Sequence, residues 1–245
     1  MRAQDAKQAI QQAVDTELKA NQSDNSRWLY YDVDRKPEKS VTQWVAETTN
    51  GDLHRVLDEN GQKLSAGDQQ KKMDGLVKNL DAQSKQRKSE RHDDEQATEL
   101  LKLLPQAFLW KSSGKQAGVD AFHFKPDPKF HPPNREAKVF SAMEGDMAVD
   151  SGQHRIVSLK GKLIRDVKFG GGILGNLHAG GSFDVERREI GKGLWQITET
   201  HVHIQGRALL FKSISEEEDE EKSKFERLPD TISLQEGEKR LLEQQ

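Results

Sequence analysis

Apolar residues recur at helical spacing near the start of the chain. Ala6, Ala9, Ile10, Ala13, Val14 and Leu18 fall on one face, which predicts an amphipathic helix over residues 5–20. A polar break, Asn21 to Ser26, precedes Arg27–Asp34, which is rich in aromatic and β-branched residues and predicts a strand. Leu29, Tyr31 and Val33 share one of its faces, Trp28 and Tyr30 the other. Val41–Thr48 and Leu53–Asp58 predict two more strands. Asn50-Gly51 and Asn60-Gly61 are hairpin signals, because Asn and Gly tolerate the positive φ of tight turns.

From Ala66 to about Leu104 the pattern is helical. Met73, Leu76, Val77 and Leu80 form one apolar stripe; Ala97, Leu100, Leu101 and Leu104 form another. Lys85–Glu95, between them, is almost wholly charged or polar and reads as a solvated helix end or a mobile joint. Pro105 is expected to close the helical region. Phe108–Lys111 and Val119–Lys125 predict strands, and Lys125–Asn134, with four of the seven prolines, predicts an extended loop. Ala137 to Phe211 reads as a meander. Its expected parts are a strand Lys138–Met143, a turn at Glu144-Gly145-Asp146, a strand Met147–Asp150, a turn at Ser151-Gly152-Gln153 and a long strand His154–Phe169. Val157, Leu159, Leu163, Val167 and Phe169 share one face of that last strand. Strands Phe183–Ile190, Leu194–Ile204 and Arg207 to about Ile214 follow. Trp195 and Ile197 have one parity and Val202 and Ile204 the other, which predicts a bulge near Glu199. Ser233-Leu-Gln-Glu236 fits a capping box and opens a C-terminal helix over about 233–243. The helical insert at 66–104 interrupts strands of what reads as one antiparallel sheet, and no repeat or linker is visible. The expectation is one α+β domain over residues 1–245.

Composition narrows this picture. Hydrophobic residues are 33% and charged residues 32% of 245, so the core is expected to be thin for the length. The net charge is −3 and no Lys/Arg block could track phosphates, so no nucleic-acid partner is expected. No apolar run approaches the roughly 18–20 residues that span a bilayer, so no transmembrane segment is expected. Met1 leads straight into a polar helix, and no leader is read in this chain. The absence of cysteine excludes disulfides, thiol catalysis and thiolate-bound metals.

Phe169–Phe183 holds six glycines, and Gly170, Gly172 and Gly175 match the spacing G-x-G-x-x-G. A dinucleotide site needs a strand before and a helix after that motif. The strand is expected, but Leu177–Ser182 is a poor helix start. The favoured reading is a flexible inter-strand connection at the sheet rim, offering Ile173, Leu174 and Leu177 as a flap. Glu199, His201 and His203 would line one face of a strand as metal ligands, yet no partner motif exists, so His201 and His203 are weak metal candidates. The acidic run Glu216–Glu221 lacks the spacing and glycine of a calcium loop and reads as a solvated hairpin tip or frayed loop. No G-x-S-x-G elbow is present, no cofactor motif stands, and no enzyme is expected.

The element order, together with Ala137-Lys-Val-Phe-Ser-Ala-Met-Glu-Gly-Asp-Met-Ala-Val-Asp150, His154-Arg-Ile-Val-Ser-Leu159, Gly181-Ser-Phe183 and Gly193-Leu-Trp195, resembles the LolA-like group of exported bacterial carriers. That group includes the lipoprotein carrier LolA, the regulator RseB and mycobacterial lipid-binding relatives. The resemblance implies a strongly curved, unclosed, half-barrel-like antiparallel sheet with helices on its concave face. It implies a non-enzymatic carrier for a lipid or lipoprotein acyl chain, working in the periplasm or otherwise exported. Periodicity selects Leu29, Tyr31, Met73, Val77, Leu159 and Leu163 as pocket-lining candidates, with Ile173 and Leu174 from the flap. Two alternatives stand beside the carrier: an envelope interaction or sensor protein without a ligand cavity, and a metal-dependent hydrolase built on His201 and His203.

Overall fold

The computed structural model describes residues 3–170, 175–208 and 217–245. In chain order its elements are α1 (Ala3–Ser23), β1 (Arg27–Lys36), β2 (Lys39–Ala46), β3 (Leu53–Glu59), β4 (Gln62–Lys63), α2 (Ala66–Val77) and α3 (Leu80–Ala107). Then come β5 (Phe108–Gln116), β6 (Val119–Pro126), a 3-10 helix (Glu136–Ala142), β7 (Met143–Asp150), β8 (Ile156–Leu163), β9 (Val167–Phe169) and β10 (Gly175–Leu177). β11 (Ser182–Gly191), β12 (Leu194–His203), β13 (Gly206–Ala208), β14 (Glu217–Leu228) and α4 (Leu234–Leu242) complete the chain. The protein is α+β, and its strand pairs among the described residues are antiparallel.

Two compact units emerge, Met1–Ser23 with Gln96–Glu218 and Asp24–Glu95 with Asp219–Gln245. In the second unit the strands run in the order β4-β3-β2-β1-β14, an open sheet. One face of it carries Leu29, Trp44, Ala46, Leu53 and Leu228, packed against Met73 of α2 and Leu234 and Leu241 of α4. Ser233 caps α4 as its sequence predicts: its hydroxyl accepts from the Glu236 amide while the Glu236 carboxylate accepts from the Ser233 amide. In the first unit the order is β12-β11-β8-β7-β6-β5, again unclosed, beside a three-stranded sheet β13-β10-β9. Its core joins Ala6, Ile10, Ala13 and Val14 of α1 to Phe108, Trp110, Phe122 and Phe124.

Several expectations are corrected. Lys85–Glu95 is no helix end: α3 runs unbroken through it. Its Lys, Arg, Gln and Glu residues are good helix formers, and it is tied down where Gln86 donates to the Asp52 carbonyl at 2.8 Å and Arg87 to the Asn50 side chain at 2.9 Å. Pro105 sits inside α3, two residues before its end, and does not close it. Met143–Asp150 is one strand, without a turn at Gly145. That glycine answers a close approach: a Cβ there would lie 2.0 Å from the Lys160 carbonyl oxygen. Residues 138–142 lie in the 3-10 helix, outside any strand. The long strand expected over His154–Phe169 is broken at residues 164–166.

The largest miss is β14. The acidic run does not end in a loop; it is strand from Glu217 and pairs with β1 from Asp219, opposing Asp219 to Arg35 and Lys222 to Asp32. Cross-strand cations such as Arg35, 3.0 Å from Glu221, offset the repulsion that the run alone would suffer. The bulge expected near Glu199 is present: Glu186 pairs with Glu199 and Arg187 with Ile197, leaving Thr198 unopposed.

Candidate functional site

The glycine stretch holds no nucleotide fingerprint, because Gly175 opens the short strand β10, where that motif would need a helix. Leu177 is not a flap residue either; it is 5% exposed and part of the first unit's core. Ile173 and Leu174 lie outside the described residues. His201 and His203 lie on β12, opposite Asp184 and Ser182. His201 ends a cross-strand row over five strands, His123–Asp146–Lys160–Asp184–His201. Lys160 holds Asp184 at 3.0 Å and Glu186 at 2.7 Å within that face. Among the described residues no group of three or more His, Asp and Glu side chains is placed to hold a metal. Beyond the sheet, Leu103, Gln106, Lys129, Phe130 and His131 line an open cleft of about 340 Å³.

The pocket candidates separate. Leu163 is buried in the first unit's core and Leu159 packs partly against it. Leu29, Tyr31, Met73 and Val77 converge in the second unit, in the cluster between the sheet and α2. Leu29 and Met73 are sealed at 0% and 1% exposure, while Tyr31, Val77, Leu57 and Leu76 are half-buried at its margin. Met73 is the one fully buried side chain that α2 contributes among the described residues. A helix held by so little buried surface is the easiest part of the cluster to displace. Its further ties are the half-buried Leu76 and Val77 and polar contacts: Ser65 caps its first turn, Gln69 accepts from Arg55 at 2.8 Å, and Lys72 reaches Glu59 at 2.9 Å.

Sequence reasoning missed the polar residues at this margin. Trp44 opposes Tyr31 across β1 and β2, with ring centroids 5.3 Å apart. Lys224 places its ammonium 4.7 Å from the Tyr31 ring and 5.4 Å from the Trp44 ring. Lys224 has φ +56° and sits in the bulge where the β1–β14 register shifts. The shift changes the parity of β14, so Lys224 meets Tyr31 on one face while Lys222 lies over Tyr30, 5.6 Å away, on the other. The Trp44 indole nitrogen is buried and has no hydrogen-bond partner among the described residues. A buried unsatisfied donor costs about 1–3 kcal/mol.

The Tyr30 face of the same sheet is acidic. Burial, then the neighbouring Asp52 carboxylate, raise Glu47 to about 7. Burial and Glu90 raise Asp52 to about 6. Burial and Glu220 raise Asp32 to about 6, against the bond it accepts from Gln43 at 2.7 Å. Burial and the same carboxylates push the Tyr30 hydroxyl well above its usual value. The three carboxylates therefore ionise at higher pH than free ones, Glu47 highest, while the Tyr30 hydroxyl stays protonated at neutral pH.

No helix among the described residues is long and apolar enough to cross a membrane. No protein-family model, curated protein or solved structure matches the chain.

Proposed function

We propose that the protein is a non-enzymatic binding or carrier protein for an apolar ligand, a lipid or the acyl chain of a lipoprotein. The ligand enters between α2 and the sheet of the second unit. The observation that carries this reading is the convergence of Leu29, Tyr31, Met73 and Val77 in one apolar cluster under a helix anchored by a single fully buried side chain. Moving α2 exposes a lining of Leu, Met and Trp that holds an acyl chain through burial alone, at roughly 0.8 kcal/mol per CH₂. The likeness to LolA-like carriers belongs to this proposal, with its curved half-barrel sheet, its concave-face helices and its place in the periplasm or elsewhere outside the cytoplasm.

Native mass spectrometry of gently purified protein tests the reading, followed by delipidation and rechallenge with fatty acids. A bound or rebound acyl chain is expected. A protein that neither carries nor accepts one sinks the proposal. The interaction or sensor reading draws on the close packing of the same cluster, in which Leu29, Met73 and Leu53 are already sealed at 0%, 1% and 1% exposure. Under it, hydrogen exchange in α2 is unchanged by any fatty acid.

A further inference from the structure

The chain has four tryptophans, and all are buried. Three satisfy their indole N–H: Trp28 donates to Ser26 Oγ at 2.9 Å, Trp110 to the Leu104 carbonyl at 3.2 Å and Trp195 to Gln153 Oε1 at 3.1 Å. Trp44, 5% exposed, has no acceptor among the described residues. Beside it stands Lys224, held on this face by the bulge, its ammonium on two aromatic rings and with no carboxylate partner among the described residues. An unused donor and an unpaired cation thus meet at the margin of the apolar cluster, where the half-buried Tyr31 and Val77 lie.

We infer that the ligand carries an anionic oxygen head, a carboxylate or a phosphate, which accepts from Trp44 Nε1 and pairs with Lys224 while its apolar tail follows Leu29, Met73 and Val77. This inference rests on the apolar-ligand reading above. The chemistry selects the class. An alcohol head satisfies the indole but leaves the ammonium unpaired, and a cationic head is repelled by Lys224. An anion satisfies both through charge-assisted bonds, which are stronger than neutral ones.

The test titrates the delipidated full chain with laurate and with dodecanol, which share a tail and differ in the head. Laurate is expected to bind roughly tenfold tighter or more. Lys224→Gln and Trp44→Phe should each remove most of that preference, whereas Lys222→Gln, on the opposite face, should keep it. In ¹⁵N spectra, the indole signal lost in Trp44→Phe should move downfield with laurate while the other three stay. Equal affinity for the two heads, a preference that survives both variants, or one that Lys222→Gln also removes overturns the inference. If neither compound binds, the apolar-ligand reading falls and the inference with it. Millimolar acetate and inorganic phosphate are expected to leave the Trp44 signal in place. A full shift with either one marks a site for free anions and overturns the lipid head.

Discussion

Glu17 in the first unit and Asp32, Glu47 and Asp52 in the second are all carboxylates drawn away from water, in opposite company. Glu17 is 2% exposed on the apolar stripe of α1, one step beyond Val14. Arg155 grips it with two bonds at 3.0 and 2.9 Å, Arg187 approaches to 2.6 Å, and the Ile156 amide donates at 2.8 Å. Arg155 is in turn steadied by the Gly193 carbonyl at 3.1 Å. Burial alone would raise the Glu17 pKa, but the two arginines and the amide outweigh it and hold it below its usual value. In the second unit Asp32 accepts from Gln43 and Glu47 from the Trp28 amide, and these two and Asp52 have negative neighbours, so burial wins and all three rise. The contrast teaches that depth does not set a buried acid's state; the number of donors aimed at it does.

Removing the Glu17 carboxylate should have the largest effect. Glu17→Ala leaves Arg155 and Arg187 buried without their anion and should cost about 3–5 kcal/mol. Denaturant unfolding reads this, and hydrogen exchange should show α1 loosening first. A loss under about 1 kcal/mol would mean water replaces the carboxylate, and the contrast with the second unit would vanish.

The pH response is next in size, and the two units should differ in sign. Asp32, Asp52 and Glu47 have folded values of about 6, 6 and 7, above their unfolded values near 4. The folded second unit therefore binds more protons between about pH 4 and 7, and its stability should rise as pH falls through that window. Glu17 is lowered, so its stabilisation is present above the unfolded carboxylate value and is lost as pH falls through the lower folded one. Hydrogen exchange from pH 8 to pH 5, corrected for intrinsic rates, should show the second unit's amides gaining protection while α1 holds steady. Glu47→Gln should raise stability at pH 8 by about 1 kcal/mol, after discounting for its partial exposure, and flatten the response. A second unit that weakens on mild acidification would contradict the contrast.

The smallest effect sharpens it at single tryptophans. Trp28→Phe leaves Ser26 Oγ without its donor, whereas Trp44→Phe removes a donor that bonds to nothing. Both lose similar ring volume, so Trp28→Phe should be the more destabilising by about 1 kcal/mol. Equal melting temperatures would show that an ordered water already serves Trp44.

Local patterning made much of the fold readable. Alternation located β1, β2 and β3, helical spacing located α1, and the Ser233/Glu236 pair marked the start of α4. It misled where a residue answers to a distant neighbour. Gly145 looks like a turn and is a strand residue beneath a carbonyl of β8. β14 looks like a solvated acidic loop, because a partner such as Arg35 lies 186 residues from Glu221 in sequence. The site was half legible. Leu29, Tyr31, Met73 and Val77 carry a periodic signal, but Trp44 Nε1 and Lys224 carry none, since neither an unmet donor nor a bulge that turns a lysine over is written in spacing.

By itself the sequence determined the things that depend on near neighbours: which stretches are helix or strand, which side chains share a face, the absence of thiol chemistry, and the α+β class. Tertiary structure alone decided which charges meet. Glu17 is an unremarked helix acid until Arg155, just before β8, and Arg187, on β11, arrive from 138 and 170 positions later. Lys222 and Lys224 are two ordinary lysines until one bulge sends them to opposite faces of a sheet. Backbone preference is local, whereas the free energy of a buried charge or donor depends on what the fold brings within about 3 Å of it.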